Sequence, residues 1–172
     1  MPYYLGIDTS NYTTSLALCS SEGDIVAQKK RLLQVKQGER GLRQSDAVFQ
    51  HTQNLPVLFS ELFAQVPHAR ANLLAVGCTE KPRSAQGSYM PCFLPGAGTG
   101  QALAAACDIP IYLFSHQHGH IMAAAYSAEM KSAAERPFLA FHISGGTTDL
   151  MHVIPRQNSF AIETIGTSLD LH

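Results

Sequence analysis

Two short segments built to one design constrain this chain more than any bulk property. "GIDTSNYTTSLAL", Gly6 to Leu18, and "HISGGTTDLMHV", His142 to Val153, each read as a buried strand, a turn of small hydroxyl or glycine residues, and a returning strand. Glycine carries no Cβ and Ser or Thr supplies donors, so such turns let backbone N–H groups and hydroxyls close on an anion, phosphate above all. Taken singly, each segment is equally an ordinary hairpin, because tight turns use the same small residues. Asp8 and Ser10 are the candidates for chemistry in the first turn. Asp8, ending a buried strand, either orders a metal-bound water or a hydroxyl network, or simply caps the turn. Asp149, at the end of the second turn, reads as structural.

The rest of the chain arranges itself around these segments. Two further strand-like runs after the first turn make a three-stranded meander with "YYLGIDTS". From Ser45 to Val66 apolar residues recur at helical spacing, with Pro56 expected to kink that helix or split it. "NLLAVGCTE" reads as a buried strand. "KPRSAQGSYMPCFLPGAGTG" reads as loop, since Pro and Gly punctuate it, and "GQALAAACD" as helix. "IPIYLFS" is a strand, followed by a helix capped by Ser115. "FLAFHIS", "DLMHVIP" and "FAIETIG" are three more strands, the opening of a second meander. The order predicts an α/β fold with helices packed on a mixed sheet.

The 172 residues can bury one core and are short for two independent domains. A formal net charge of -1 supplies no overall basic field, so any RNA partner must be held by local patches or by other subunits. The four cysteines show no CxxC spacing, and no run approaches the roughly 18 apolar residues of a membrane span. A reduced, cytoplasmic protein without a membrane partner is expected.

Three histidines fall within "SHQHGH", residues 115–120. On a helix His116 and His120 stand at i and i+4, one turn apart on one face, while His118 points elsewhere. Two imidazoles at that spacing can chelate an ion. Histidines that are merely exposed or hydrogen-bonded at a helix start are the alternative. A zincin metallopeptidase carries Glu after its first histidine, and here Gln117 stands there, which disfavours hydrolysis of that kind.

"YLGIDTSNYTTSLAL", "IPIYLFSHQHGHIMAA" and "FHISGGTTDL", in that order, resemble the N-terminal half of the TsaD or Gcp family of tRNA threonylcarbamoyladenosine synthases, formerly called O-sialoglycoprotein endopeptidase, glycoprotease or peptidase family M22. "IGTSLDLH" resembles the start of the family's next helix. The resemblance implies an actin-like ATPase (ASKHA, ribonuclease H-like) lobe with a mixed five-stranded sheet over residues 1–134, and the beginning of a second lobe over 135–172. It implies transfer of a threonylcarbamoyl group from an adenylate to N6 of an adenosine in tRNA. Carried over by motif, the metal ligands are His116 and His120, with iron or zinc as the ion, and the adenylate or ATP-type nucleotide meets Ser144, Gly145, Gly146 and Thr147. Relatives from archaea and eukaryotes resemble this stretch with Tyr two positions before Ser144. Here that position is His142, a proposed third ligand, since imidazole suits zinc or iron.

The chain departs from the family in two places. "TEKPRSAQGSYMPCFLPGAGTGQAL" stands where an "AGPGL" type of loop is usual, and Thr147 replaces a His or Asn common in bacterial members, which suggests a divergent paralogue. The second lobe, which brings an Asp ligand, would lie beyond His172, so a fragment inactive alone is expected. An apolar face left uncovered predicts self-association as a homodimer. The expected partners are tRNA through the complete enzyme, and actin-like subunits. The alternatives in function are a metallopeptidase and a non-catalytic partner resembling TsaB, which lacks the histidine pair.

Overall fold

A computed structural model describes residues 1–39, 41–130, 135–143, 148–157 and 159–168, in two compact units, Met1–His116 and Gln117–His172. The first begins with β1 (Tyr3–Asp8), β2 (Thr13–Ser20) and β3 (Ile25–Leu32), joined by short turns into an antiparallel meander. Alternation sets its inner face. Tyr3, Leu5 and Ile7 are buried, while Tyr4 is exposed and Gly6 and Asp8 are partly so. A long helix, α1 (Gln44–Gln65), a 3-10 turn (Pro67–Asn72) and β4 (Leu73–Lys81) follow. Then come α2 (Leu94–Cys107) and β5 (Ile111–Ser115). Strand order is β3-β2-β1-β4-β5, with β1, β4 and β5 parallel, so the sheet is mixed and five-stranded as the resemblance implies.

The core of this unit lies between the buried side of the sheet and the helices. Leu5, Ile7, Leu16 and Leu18 meet Leu55, Leu58 and Leu62 of α1, and Val76, Cys78 and Ala104 extend the cluster to β4 and α2. Fully burying one such leucine contributes about 1.5–3 kcal/mol. Pro56 does not split α1, which runs unbroken through it. The proline is on the exposed side, where the carbonyl it leaves without an N–H partner can be hydrated.

The helix α2 corrects the loop expected up to Gly100, because it already begins at Leu94. Three glycines in its first two turns lower its intrinsic propensity, and tertiary packing overrides that. A Cβ on Gly96 would lie 2.7 Å from Thr9 Oγ1, and one on Gly100 would lie 2.2 Å from Cys78 Sγ. Only glycine lets the helix backbone approach the ends of β1 and β4 so closely.

In the second unit, α3 (His116–Ser127), which continues directly from β5, packs Ile121 against Met151 and Val153 of an antiparallel sheet. That sheet is β6 (Phe138–Ile143), β7 (Thr148–Arg156) and β8 (Ser159–Ser168) in the order β6-β7-β8, the second meander read from the sequence. Asp149 is fully buried and accepts a hydrogen bond from Thr167 Oγ1 at 2.9 Å, so it helps to pin β7 against β8. On the edge strand β6, Leu139, Phe141 and Ile143 are all exposed. No helix among the described residues is long and apolar enough to cross a membrane.

Candidate functional site

The first hairpin turn, between β1 and β2, is held from three directions. Within the turn, the Ser10 N–H donates to Asp8 Oδ1, and Asn11 takes the left-handed conformation that Asn tolerates (φ 52°). Fully buried Thr9 accepts from the Gly96 N–H at 3.2 Å, which ties the turn to α2. Below it, Thr14 Oγ1 lies 2.8 Å from His51 Nδ1 and accepts from Asn54 Nδ2 at 3.2 Å, which ties β2 to α1. His51 has no exposed surface. Burial pushes the His51 pKa down, and the Asn11 carbonyl and the Asp8 charge only partly offset this.

Asp8 joins the turn to the strand end that carries His116. Its Oδ2 lies 3.1 Å from Nδ1 of His116, and Phe93 packs edge-on to the same imidazole at 6.2 Å between ring centroids. Burial by itself raises the Asp8 pKa. The bonds from His116 and Ser10, together with the His116 charge, outweigh it and hold the carboxyl below its ordinary range. Asp8 is therefore ionised at neutral pH and orients the first histidine of the HxxxH pair.

In the second unit the rings of His120 and His142 lie 5.3 Å apart between centroids, tilted at 44° to each other. Nδ1 of His142 is buried and has no hydrogen-bond partner among the described residues. A ring nitrogen in that condition suits a metal ion, and the donor set of imidazoles suits zinc or iron. Among the described residues no group of three His, Cys, Asp or Glu side chains is arranged to hold a metal. His118 behaves differently from its neighbours: its Nε2 bonds the Phe160 carbonyl at 2.8 Å and its ring stacks on Phe160, so it anchors α3 to β8. Gln117 is likewise buried and donates to Met151 Sδ. Ser144, Gly145, Gly146 and Thr147 lie outside the described residues.

Cys19, Cys78 and Cys92 are poor nucleophiles here. Burial pushes the Cys78 thiol up to about 12, with the Asp8 charge adding to the effect, and it raises Cys92 and Cys19 as well.

His51 and the glycines of α2 are structural supports that the sequence motifs passed over. A signal existed for His51. It stands in the buried row Ala47, His51, Leu55, Leu58, Leu62 of α1, where an imidazole among apolar residues needs a polar partner.

Comparison with known proteins follows the same lines. A family model described as TsaD, tRNA N6-adenosine threonylcarbamoyltransferase, matches residues 25–170. Among curated relatives, the tRNA N6-adenosine threonylcarbamoyltransferase of Bacillus licheniformis is 29% identical over 170 residues, covering 98% of this chain and 46% of that protein. The enzyme of the same name from Nitrosomonas europaea is 30% identical over 150 residues, covering 87% of this chain and 42% of that protein. The chain thus spans about half the length of the curated relatives it matches. Among solved structures, YeaZ from Pseudomonas aeruginosa superimposes with a TM-score of 0.57 at 16% identity, covering 98% of this chain and 66% of that one. A ROK family transcriptional regulator, a homolog of the E. coli MLC protein, gives 0.53 at 15% identity, covering 95% and 40%. The fold is that of the actin-like ATPases, and the chain belongs to the TsaD family of tRNA N6-adenosine threonylcarbamoyltransferases.

Proposed function

We propose that this chain is the N-terminal part of a metal-dependent threonylcarbamoyltransferase that acts on tRNA, with lobes over residues 1–134 and 135–172. The observation that carries the reading is the 3.1 Å contact between the carboxylate ending β1 and the first histidine of the HxxxH pair. A carboxylate on one ring nitrogen fixes the tautomer and aim of a histidine whose other nitrogen takes an ion. In this reading His116, His120 and His142 hold a divalent ion, iron or zinc, and Asp8 is the group that aims His116. The ion, when bound, supplies a Lewis acid and a template for the carbonyl and phosphate oxygens. In this reading the first hairpin, with Ser10 at its turn, and the residues Ser144, Gly145, Gly146 and Thr147 grip the phosphate of the adenylate. The adenosine N6 amine then forms its bond to the carbamoyl carbonyl carbon as the bond from that carbon to the phosphate oxygen breaks, so that AMP departs and the amine proton passes to solvent.

Metal content after loading with zinc or ferrous iron tests the ligands. His120→Ala is expected to lose the ion, His142→Ala to bind it more weakly, and Asp8→Asn to weaken it by about 10–100-fold. Unchanged affinity in His120→Ala would remove the reading, and unchanged affinity in His142→Ala would remove the third ligand. Calorimetric titration with AMP measures the nucleotide half independently.

The same reading makes the exposed side chains of β6 an interface. Leu139, Phe141 and Ile143 on an edge strand present apolar surface together with unpaired backbone groups. Light scattering across a concentration series is expected to show a mass rising from monomer toward dimer, and Phe141→Lys to hold it at monomer. A parent that stays monomeric at the highest concentration rejects the interface.

A further inference from the structure

His51 stands in the row of α1 that faces the sheet, between Ala47 and Leu55, with no surface exposed. For packing alone a leucine would suit that position, because an imidazole buried among apolar residues costs free energy unless polar groups meet it. His51 meets two. Its Nδ1 lies 2.8 Å from Thr14 Oγ1 on β2, and the Asn11 carbonyl, at the apex of the first hairpin, is the ring's other polar partner.

The chemistry of these groups sets where the protons are. A carbonyl only accepts, so the ring carries its N–H toward Asn11 and Nδ1 is left as an acceptor. The Thr14 hydroxyl then donates to Nδ1, while its oxygen accepts from Asn54 Nδ2 at 3.2 Å. A directed chain of donors thus runs from Asn54 of α1 through Thr14 and His51 to the turn. Asn11 is where the turn needs holding. It is a non-glycine residue with φ at 52°, and its side chain is exposed, so core packing does not keep it there. Its N–H faces the buried Cys92 sulfur, so both backbone groups of the apex are met by side chains from outside the hairpin.

A hairpin that only joins two strands closes through its own ladder and turn residues, and needs no buried imidazole from a helix. We infer that His51 is a positioning residue for the first hairpin turn: it fixes the apex at Asn11, and with it the aim of the adjacent Ser10 toward an anion. That this anion is the phosphate of a nucleotide rests on the reading proposed above. The hold on the turn rests on hydrogen bonds within the first unit alone.

The test compares His51→Leu, which keeps much of the volume and removes both polar contacts, with His51→Gln, whose amide donates and accepts as the ring does. Amide hydrogen exchange at single-residue resolution reads the turn. The Ser10 amide bonds Asp8, the Leu33 amide bonds the Tyr12 carbonyl at 2.8 Å, and the Val76 amide, away from the turn, bonds the Pro110 carbonyl at 3.0 Å. In His51→Leu the first two are expected to exchange about tenfold faster relative to Val76, and in His51→Gln to stay within about threefold of the parent ratio. A general loss of stability would speed all three amides together, and an unchanged ratio overturns the inference. So does an equal effect of the two variants, which would deny the polar contacts their role. Calorimetric titration with AMP and with adenosine, below every melting transition, reads the consequence. AMP affinity is expected to fall about tenfold in His51→Leu while adenosine affinity holds. Unchanged AMP affinity beside a loosened turn overturns the link to the anion. A parent that binds no AMP rejects the nucleotide reading instead, and the exchange ratios still decide whether His51 sets the turn.

Discussion

Gly100→Ala is expected to lower the melting temperature by up to about 8 °C, a large effect for one methyl group on a helix that otherwise prefers alanine. The added Cβ would lie 2.2 Å from Cys78 Sγ and 3.4 Å from the Cδ1 atoms of Ile7 and Ile111. Cys78 sits on β4 with 2% of its surface exposed, so the sulfur has nowhere to move. Overpacking of this kind costs about 1–3 kcal/mol or more, and in a chain of this size each kcal/mol moves the transition by about 2–4 °C. Better helix propensity returns about 1 kcal/mol at most. The contact predicts its own rescue. Cys78→Ala removes the sulfur, so the pair Gly100→Ala with Cys78→Ala should be more stable than the sum of its single variants implies, by about 1 kcal/mol or more. Additive thermal shifts would show that the two backbones are not held at the distance described.

The second large effect concerns His51. Removing the ring in His51→Ala leaves a void in the core and takes one of two partners from the buried Thr14 hydroxyl, for an expected loss of about 2–4 kcal/mol in urea unfolding. A pH profile separates the polar role of the ring from its volume. Burial lowers the folded-state pKa of His51 below the ordinary imidazole value of about 6.5, so the unfolded chain takes up a proton that the folded site refuses. The neutral site therefore contributes stability that is complete above about pH 6.5 and is lost as the pH falls toward the folded value, with a slope of at most ~1.4 kcal/mol per pH unit. His51→Gln fills similar space and does not titrate, so its stability should fall less than the parent's in that window. Parallel profiles for the two proteins would show that the ring is not kept neutral.

The elements that followed from sequence were those whose pattern is local. The apolar runs in "YYLGIDTS" and "TTSLALCSSEGDIVAQKKR" set the strands, and the helical spacing of apolar residues from Ser45 to Val66 set α1. What failed was punctuation. Pro56 and the glycines of α2 look like breaks when only neighbours along the chain are considered. Their real setting is a solvent-facing turn for the proline and a close approach to Thr9 and Cys78 for Gly96 and Gly100, and neither is encoded within a few residues of its position. The candidate site divides in the same way. The HxxxH spacing and the hydroxyl-rich turns are written in short motifs. The Asp8–His116 contact joins residues 108 positions apart, and the His51–Thr14 bond joins residues 37 apart, so pairwise partners of this sort emerge only once the sheet is assembled.

The central place of β1 also shapes how the molecule acquires its structure. Its antiparallel neighbour β2 follows within a few residues, whereas its parallel neighbour β4 pairs Leu73 with Tyr3, and β5 extends the sheet later still. Loop-closure entropy favours the near pairing first. During synthesis the meander can form while one side of β1 still waits for a partner, and that side stays open to wrong pairings until β4 has left the ribosome. Slowing translation shortly after β4 should therefore raise the yield of correctly folded chains, and slowing it within α1 should lower that yield.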